Sequence, residues 1–195
     1  RNPRETLPKK EFNAPHPKPE NSYGESYGKH REFLEFSRDQ HKELKELCDD
    51  IGIGYSCSVW DLTSAKEIIS LNPPMIKVPS ACNISEKILS CLCDHFPGEI
   101  HISLGMTSRQ EEKAIVDTVK KKQRNQDTVL YACTSGYPVP PEDVCLLEIT
   151  RLKNAYENDV KAIGFSGHHL GIAIDIAATV LGVEWIERHY TLDRS

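Results

Sequence analysis

His168 and His189 each follow a short run rich in β-branched and aromatic residues, Lys161-Ala-Ile-Gly-Phe165 and Val183–His189, and an apolar helical stretch separates the two runs. Neutral imidazole is a common ligand for divalent cations, and two neighbouring strand ends can aim two imidazoles at one point. The residues alone leave three roles open for each: metal ligand, general base, or histidine satisfied in the core. His169 is expected to begin the following helix. Lys77 interrupts an otherwise apolar run, Met75-Ile-Lys-Val-Pro79. Burying an ammonium is costly unless it is paired. The chemistry it would serve is capture of an anion, a phosphate or carboxylate, together with hydroxyls. The competing reading is a structural salt bridge to an acid such as Glu187; the cost of burying the charge favours the anion.

The hydroxyls are present in a repeating pattern. Ser58, Ser80, Ser103, then Thr134, Ser135 and Tyr137, then Ser166 and His168, and finally His189 each follow a strand-like apolar run. Serines are common at such places because they make turns and cap helices. A hydroxyl or imidazole after every one of the six runs is harder to assign to turns alone. Cys82 and Cys133 lie near this layer, but no histidine is close to either in sequence, so a thiol nucleophile is not expected.

For these residues to share a layer, the runs must be parallel strands. The spacing predicts a helix over His30–Ile51 and a strand over Ile53–Val59. A helix capped by Asp61 follows, then a strand over Met75–Ser80. Asn83 and Glu86 form a capping-box pattern for a helix to Phe96, and Ser108 and Glu111 form a second one. Strands are expected over Glu99–Ser103, Thr128–Cys133, Lys161–Phe165 and Val183–His189, with helices over Glu142–Tyr156 and Leu170–Leu181. Strand and helix thus alternate six times with short connections, the signature of βα units and a parallel sheet. In both parallel architectures the C-terminal strand ends carry the site. An open doubly wound sheet competes with a (β/α)8 barrel. No Gly-x-Gly-x-x-Gly follows any strand, which weakens the dinucleotide-binding version of the open sheet. Six units suit an incomplete barrel lacking its first two.

The 195 residues allow one sizeable core. A net charge of −5 argues against a general nucleic-acid binder. No apolar run is long enough to span a membrane, and the first residues carry no signal-peptide core. Seven cysteines, an odd number mostly inside apolar runs and without zinc-ribbon spacing, suggest a reduced, cytoplasmic protein. Residues 1–30, rich in proline, asparagine, serine and glycine, are expected as a loop or extended arm that Tyr23 and Tyr27 could anchor, with the barrel domain over 31–195.

Five stretches, in order, resemble the sialic acid synthase family, the N-acetylneuraminate synthases and their legionaminate and pseudaminate relatives. They are Lys77-Val-Pro-Ser80, Ser103-Leu-Gly-Met106, Cys133-Thr-Ser-Gly-Tyr137-Pro, Gly164-Phe-Ser166-Gly-His168 and Glu187-Arg-His189-Tyr-Thr-Leu-Asp193. Ser22-Tyr-Gly and His30-Arg-Glu-Phe-Leu-Glu35 extend the match. The resemblance implies a (β/α)8 TIM barrel with strands three to eight present. The first two strands and a C-terminal antifreeze-like domain would lie outside this sequence. It implies condensation of phosphoenolpyruvate with an N-acylated hexosamine, with release of phosphate, by an enzyme that is a homodimer when full length. It implies His168 and His189 as ligands of Mn or Mg, and Ser58, Lys77, Ser80, Ser103 and Ser166 around the phosphoenolpyruvate. Tyr137 would contact the sugar, and the catalytic group would be His168, His189 and Lys77. Pro79-Ser80-Ala81-Cys82 departs from the family pattern, which has Gly-Ser-Gly and then an acid, so Cys82 stands where that acid would be. The alternatives are another two-histidine, metal-dependent barrel aldolase or hydrolase, and an inactive sugar-phosphate-binding paralogue.

Overall fold

The computed structural model describes residues 1–192; Asp193, which closes the last of the five stretches, lies outside the described residues. In chain order the elements are α1 (Pro3–Thr6), α2 (Lys9–Phe12), α3 (Tyr27–Leu34), α4 (Arg38–Asp50), β1 (Ser56–Ser58), α5 (Leu62–Ile69), β2 (Met75–Val78), α6 (Glu86–His95), β3 (Glu99–Ser103), α7 (Arg109–Lys121), β4 (Thr128–Cys133), α8 (Leu147–Tyr156), β5 (Ala162–Gly167), α9 (Ala173–Val180) and β6 (Trp185–Arg188). All five strand pairings are parallel, and the sheet order is the sequence order, β1 to β6. A doubly wound sheet reverses its strand order at a switch point. This one never does, so the strands form an arc of a barrel.

The two-residue alternation along each strand divides the sheet into two faces. Ile76, Val78, Ile100, Ile102, Leu130, Ala132, Ile163 and Phe165 turn to the helix layer and are buried among Ile68, Leu92, Ile115, Val119, Ile149 and Leu152. Burying each such aliphatic side chain contributes about 1.5–3 kcal/mol. The other face carries the polar positions, and the parallel register sets them side by side: Ser58 with Lys77, Lys77 with His101, Ser103 with Tyr131, Cys133 with Ser166, and Ser166 with Glu187. Lower on that face Val129, Tyr131, Ala162 and Trp185 make a second, smaller core. Gly164 is required there, since a Cβ would lie 2.7 Å from the Tyr131 ring and 3.1 Å from the Trp185 Cβ.

Several helix ends follow local chemistry. Asp61 caps α5, its carboxylate accepting from the Ser64 amide at 2.7 Å. Ser108 and Glu111 form the expected capping box on α7. Others differ. The helix expected over 30–51 is two helices, because Ser37 starts a fresh capping box with Gln40 and leaves Glu35 extended. The helix expected from Glu142 is a 3-10 turn over Pro141–Asp143 followed by α8. The last helix is the shorter α9 rather than Leu170–Leu181.

Asn83 does not cap α6. Its amide nitrogen instead donates to the Ser103 carbonyl and to the Thr107 hydroxyl, both at 2.7 Å. A tertiary partner has displaced the local one.

Residues 1–30, expected as a loop or extended arm, contain one-turn helices and are folded back onto the β1–α5 connection. The Arg1 guanidinium bonds Glu35 and lies 4.9 Å over Trp60, and the Asn2 amide donates to Asp61 at 2.6 Å. Tyr23 stacks on His30 and on Phe33, while Tyr27 packs against His16 and His30. All seven cysteines are free thiols. Among the described residues no helix is long and apolar enough to cross a membrane.

Candidate active site

The C-terminal ends of the six strands open onto one cleft with two lobes. The first has a volume of about 380 Å³ and is walled by Ser58, Lys77, Ser80, Ser103, Ser166 and Glu187. The second, of similar volume, is walled by Leu170, Gly171, Arg188, Tyr190 and Thr191. Tyr137, His168 and His189 stand between the lobes and line both. Ser58, Lys77, Ser80, Ser103, Tyr137, Ser166, His168 and His189 therefore all face this cleft, whereas Thr134 lines neither lobe. Parallel βα topology explains the convergence: each strand delivers its last inward side chains to the same end.

Lys77 and Glu187 are paired. Lys77 Nζ lies 2.8 Å from Glu187 Oε2, and the same oxygen accepts a hydrogen bond from Ser166 Oγ at 2.6 Å. The salt bridge weighed as the alternative for Lys77 is thus present, but it forms part of the cleft wall. Burial works against the charge of Glu187, yet the adjacent Lys77 ammonium, with the Ser166 hydrogen bond and His168, holds its carboxyl below the usual carboxylate range. Ser80 Oγ accepts from the Gly105 amide at 3.1 Å. Ser103 is 1% exposed, and its hydroxyl has no hydrogen-bond partner among the described residues. Unsatisfied buried hydroxyls are rare in native proteins, so this one marks a place for a ligand atom or water.

His168 Nδ1 lies 2.9 Å from the Thr134 carbonyl. A carbonyl only accepts, so Nδ1 carries a proton, and in the neutral ring Nε2 is the nitrogen with the free lone pair. This is the carbonyl-supported tautomer typical of metal-binding histidines. The rings of His168 and His189 are 5.1 Å apart, centre to centre, and Tyr137 stands 4.3 Å and 5.3 Å from them. Among the described residues no group of three or more His, Cys, Asp or Glu side chains is arranged to hold a metal ion. Two imidazoles could supply two ligands to a divalent cation, and water or substrate oxygens would have to complete its shell.

Two features were missed from the sequence. Cys133 lies beside His168, because the register that aligns Cys133 with Ser166 brings it near a histidine 35 positions away. Burial pushes its thiol up, but hydrogen bonds with His168 and Ser80 prevail and lower it. The contact with Cys133 raises the pKa of His168 against the effect of burial. Strand register was the available signal. Below the cleft, His101 Nδ1 lies 2.7 Å from the Tyr131 hydroxyl and Nε2 lies 3.3 Å from Glu99, forming a buried chain of polar groups under Lys77. Cys82, by contrast, turns its thiol to the Val59 and Pro79 carbonyls and lines neither lobe. Burial, with Asp61 nearby, pushes that thiol up to about 12.

Comparison with known proteins agrees with the motifs. The NeuB family profile matches residues 1–195. The chain is 36% identical over 177 residues to an N-acetylneuraminate-9-phosphate synthase of Drosophila melanogaster, covering 90% of this chain and 46% of that protein. It is 37% identical over 174 residues to the human protein of the same name, covering 89% and 47%. Among solved structures it resembles N-acetylneuraminic acid synthetase from Leptospira borgpetersenii, determined in complex with citrate, with a TM-score of 0.78 and 28% identity over 88% of this chain and 59% of that one. The chain spans about half the length of the curated relatives it matches. With a match over its whole length, this chain belongs to the NeuB family.

Proposed function

We propose that the chain is the barrel part of a synthase that joins phosphoenolpyruvate to the open-chain aldehyde of an N-acylated hexosamine, N-acetylmannosamine or a relative. The product is a nine-carbon 2-keto sugar acid, and phosphate leaves. The reading is carried by one observation: a lysine and four serine hydroxyls form one half of a cleft whose other half holds two adjacent imidazoles. In the reaction C3 of the enol bonds to the aldehyde carbon, water adds at C2, and the C2–O bond to phosphate breaks. Substrates and water balance product and phosphate, so no oxidant or reductant is needed.

Lys77 and the hydroxyls of Ser58, Ser80, Ser103 and Ser166 hold the phosphate and carboxylate charge. The unpartnered Ser103 hydroxyl supports this role, because it is available to such a ligand without breaking an existing bond. Donors fixed in advance at the anion cost no reorganisation during the reaction. Until the anion arrives, Glu187 keeps Lys77 and Ser166 in place. His168 and His189 would hold a divalent cation, Mn or Mg, and the chemistry it would supply when bound is Lewis-acid polarisation of the aldehyde oxygen. Tyr137, against both imidazoles, contacts the sugar, whose length extends into the second lobe. The names of the relatives support the product class.

The test is release of free phosphate from phosphoenolpyruvate by the full-length protein, with Mn and N-acetylmannosamine or its 6-phosphate. Acceptor-dependent release is expected. No such release across a panel of N-acylated hexosamines would overturn the reading, and phosphate release without any acceptor would point to a hydrolase.

A further inference from the structure

Behind the two imidazoles, on the helix-facing side of β6 and along the wall of the second lobe, a group of polar side chains meets to which the proposed chemistry gives no role. Arg188 sits between Glu187 and His189 and points the other way. Its Nη2 donates to the His169 carbonyl at 2.6 Å. Its Nη1 lies 2.7 Å from His169 Nε2, donates to the Gly171 carbonyl at 2.9 Å and pairs with Asp175. Nη1 has two hydrogens for these three neighbours, and Asp175 Oδ2 also lies 3.4 Å from His169 Nε2, so guanidinium, imidazole and carboxylate form one shared polar cluster. His169 is 3% exposed. Its ring reaches this position because residue 167 is glycine: a Cβ there would lie 2.8 Å from Cε1 and 3.0 Å from Nδ1. Consecutive histidines thus face opposite ways, His168 into the cleft and His169 onto Arg188.

The strand ladder explains what such a group does. The β5–β6 pairing ends at Gly167 and Arg188. His168 and His189 are each one residue past it, where no ladder bond fixes their separation. Arg188 reaches across that gap and ties β6 to the His169 carbonyl, the Gly171 carbonyl and, through Asp175, the first turn of α9. Only a planar fork of donors can engage two carbonyls, an imidazole and a carboxylate at once; a lysine cannot.

We infer that Arg188, with His169 and Asp175, is a positioning brace that sets the spacing of His168 and His189, and with it the affinity of that pair for a divalent cation. The inference rests on the proposed reading of the two histidines as metal ligands. Arg188 also walls the second lobe, so its role as a brace is read on metal and phosphate alone, with no sugar present. The brace acts on the imidazole half: Lys77, Ser58, Ser80 and Ser103 come from strands and loops on the other side of the cleft, and Ser166 and Glu187 lie within the β5–β6 ladder, whose own pairing holds them.

The experiment uses the full-length protein without substrates. Mn affinity is measured by electron paramagnetic resonance of free Mn, and inorganic phosphate affinity by calorimetry without metal. Wild type is expected to bind Mn, and His168→Ala to lose it. Arg188→Lys should weaken Mn binding roughly 10–100-fold, the usual effect of losing an outer support of a metal ligand. Its phosphate affinity should stay within about twofold, as expected where the anion-side groups are held by strand pairing and not by the brace. Gly167→Ala, which displaces His169 and leaves Arg188 in place, should give the same split. If Arg188→Lys binds Mn within about twofold of wild type, the brace is refuted. If Mn and phosphate affinity fall together, the effect is general loosening and the inference also fails. If wild type binds no Mn, or His168→Ala binds it equally well, the metal reading itself falls and takes the brace with it.

Discussion

Replacing Glu187 with glutamine separates the two roles available to Lys77. The pair is 2.8 Å apart, with side chains 14% and 30% exposed. At an effective dielectric near 20, two unit charges at that distance attract by about 6 kcal/mol. Desolvation takes back most of it, leaving a net coupling of roughly 1–3 kcal/mol for a pair at a cleft wall. Glutamine keeps the shape and still accepts from Ser166, but it removes the negative charge. An anion seated on the Lys77 ammonium would lie roughly 5 Å from Glu187, the separation of two acceptors on one donor, where repulsion amounts to about 1–3 kcal/mol for dielectrics between 80 and 20. Glu187→Gln should therefore tighten inorganic phosphate binding about tenfold. Lys77→Met should abolish it, and the double variant should do no better than Lys77→Met. Titration calorimetry on the full-length protein, at fixed pH and ionic strength, reads all three. If Glu187→Gln lowers the unfolding midpoint while phosphate binding is unchanged or weaker, the pair is a structural bridge and the anion reading of Lys77 is wrong.

Three further outcomes are expected. Gly164→Ala should cost about 1–3 kcal/mol through overpacking against Tyr131 and Trp185; an unchanged urea midpoint would count against the inner core as described. Hydrogen bonds from Arg109, with Arg151 beside it, hold the Glu148 carboxyl at about 2, below its ordinary 4.5. A depressed folded value stabilises above the ordinary one, and that contribution is lost as the pH falls from 4.5 towards 2. Glu148→Gln should thus cost at most about 3 kcal/mol at neutral pH, and its stability gap from wild type should close over that acid range; a gap independent of pH would refute the linkage. His189→Ala should remove Mn binding in the full-length protein, and retained binding would take His189 out of the ligand set.

Much of the fold was legible because it is written locally. β-Branched runs of alternating burial gave the strands, and the Asp61 and Ser108 caps gave two helix starts. The side chains placed together in the cleft, Lys77, the serines and the two histidines, were visible because each lies at or just past the C-terminal end of a strand and parallel topology gathers strand ends. What could not be read depends on distance across the fold. Asn83 has the right local spacing to cap α6 but is held by Ser103 and Thr107 more than 19 positions away. Cys133 meets His168 only through strand register. The N-terminal stretch looks like a loop by composition, yet Arg1, Asn2 and the Tyr23–His30–Phe33 stack give it partners that proline and glycine counts cannot reveal.

The Asn83 side chain has a further consequence for how such a cleft can change. By bonding the Ser103 carbonyl and the Thr107 hydroxyl, with the Ser80–Gly105 bond beside it, it joins the loop after β2 to the loop after β3. Ala81 and Met106 on the cleft rim therefore sit on one mechanical unit. Replacements at the two sites will not combine additively, because a shift imposed by either is felt at the other. A lineage that moves to a new acceptor through this rim must change both loops together, so its intermediates are constrained as pairs and not as independent single steps.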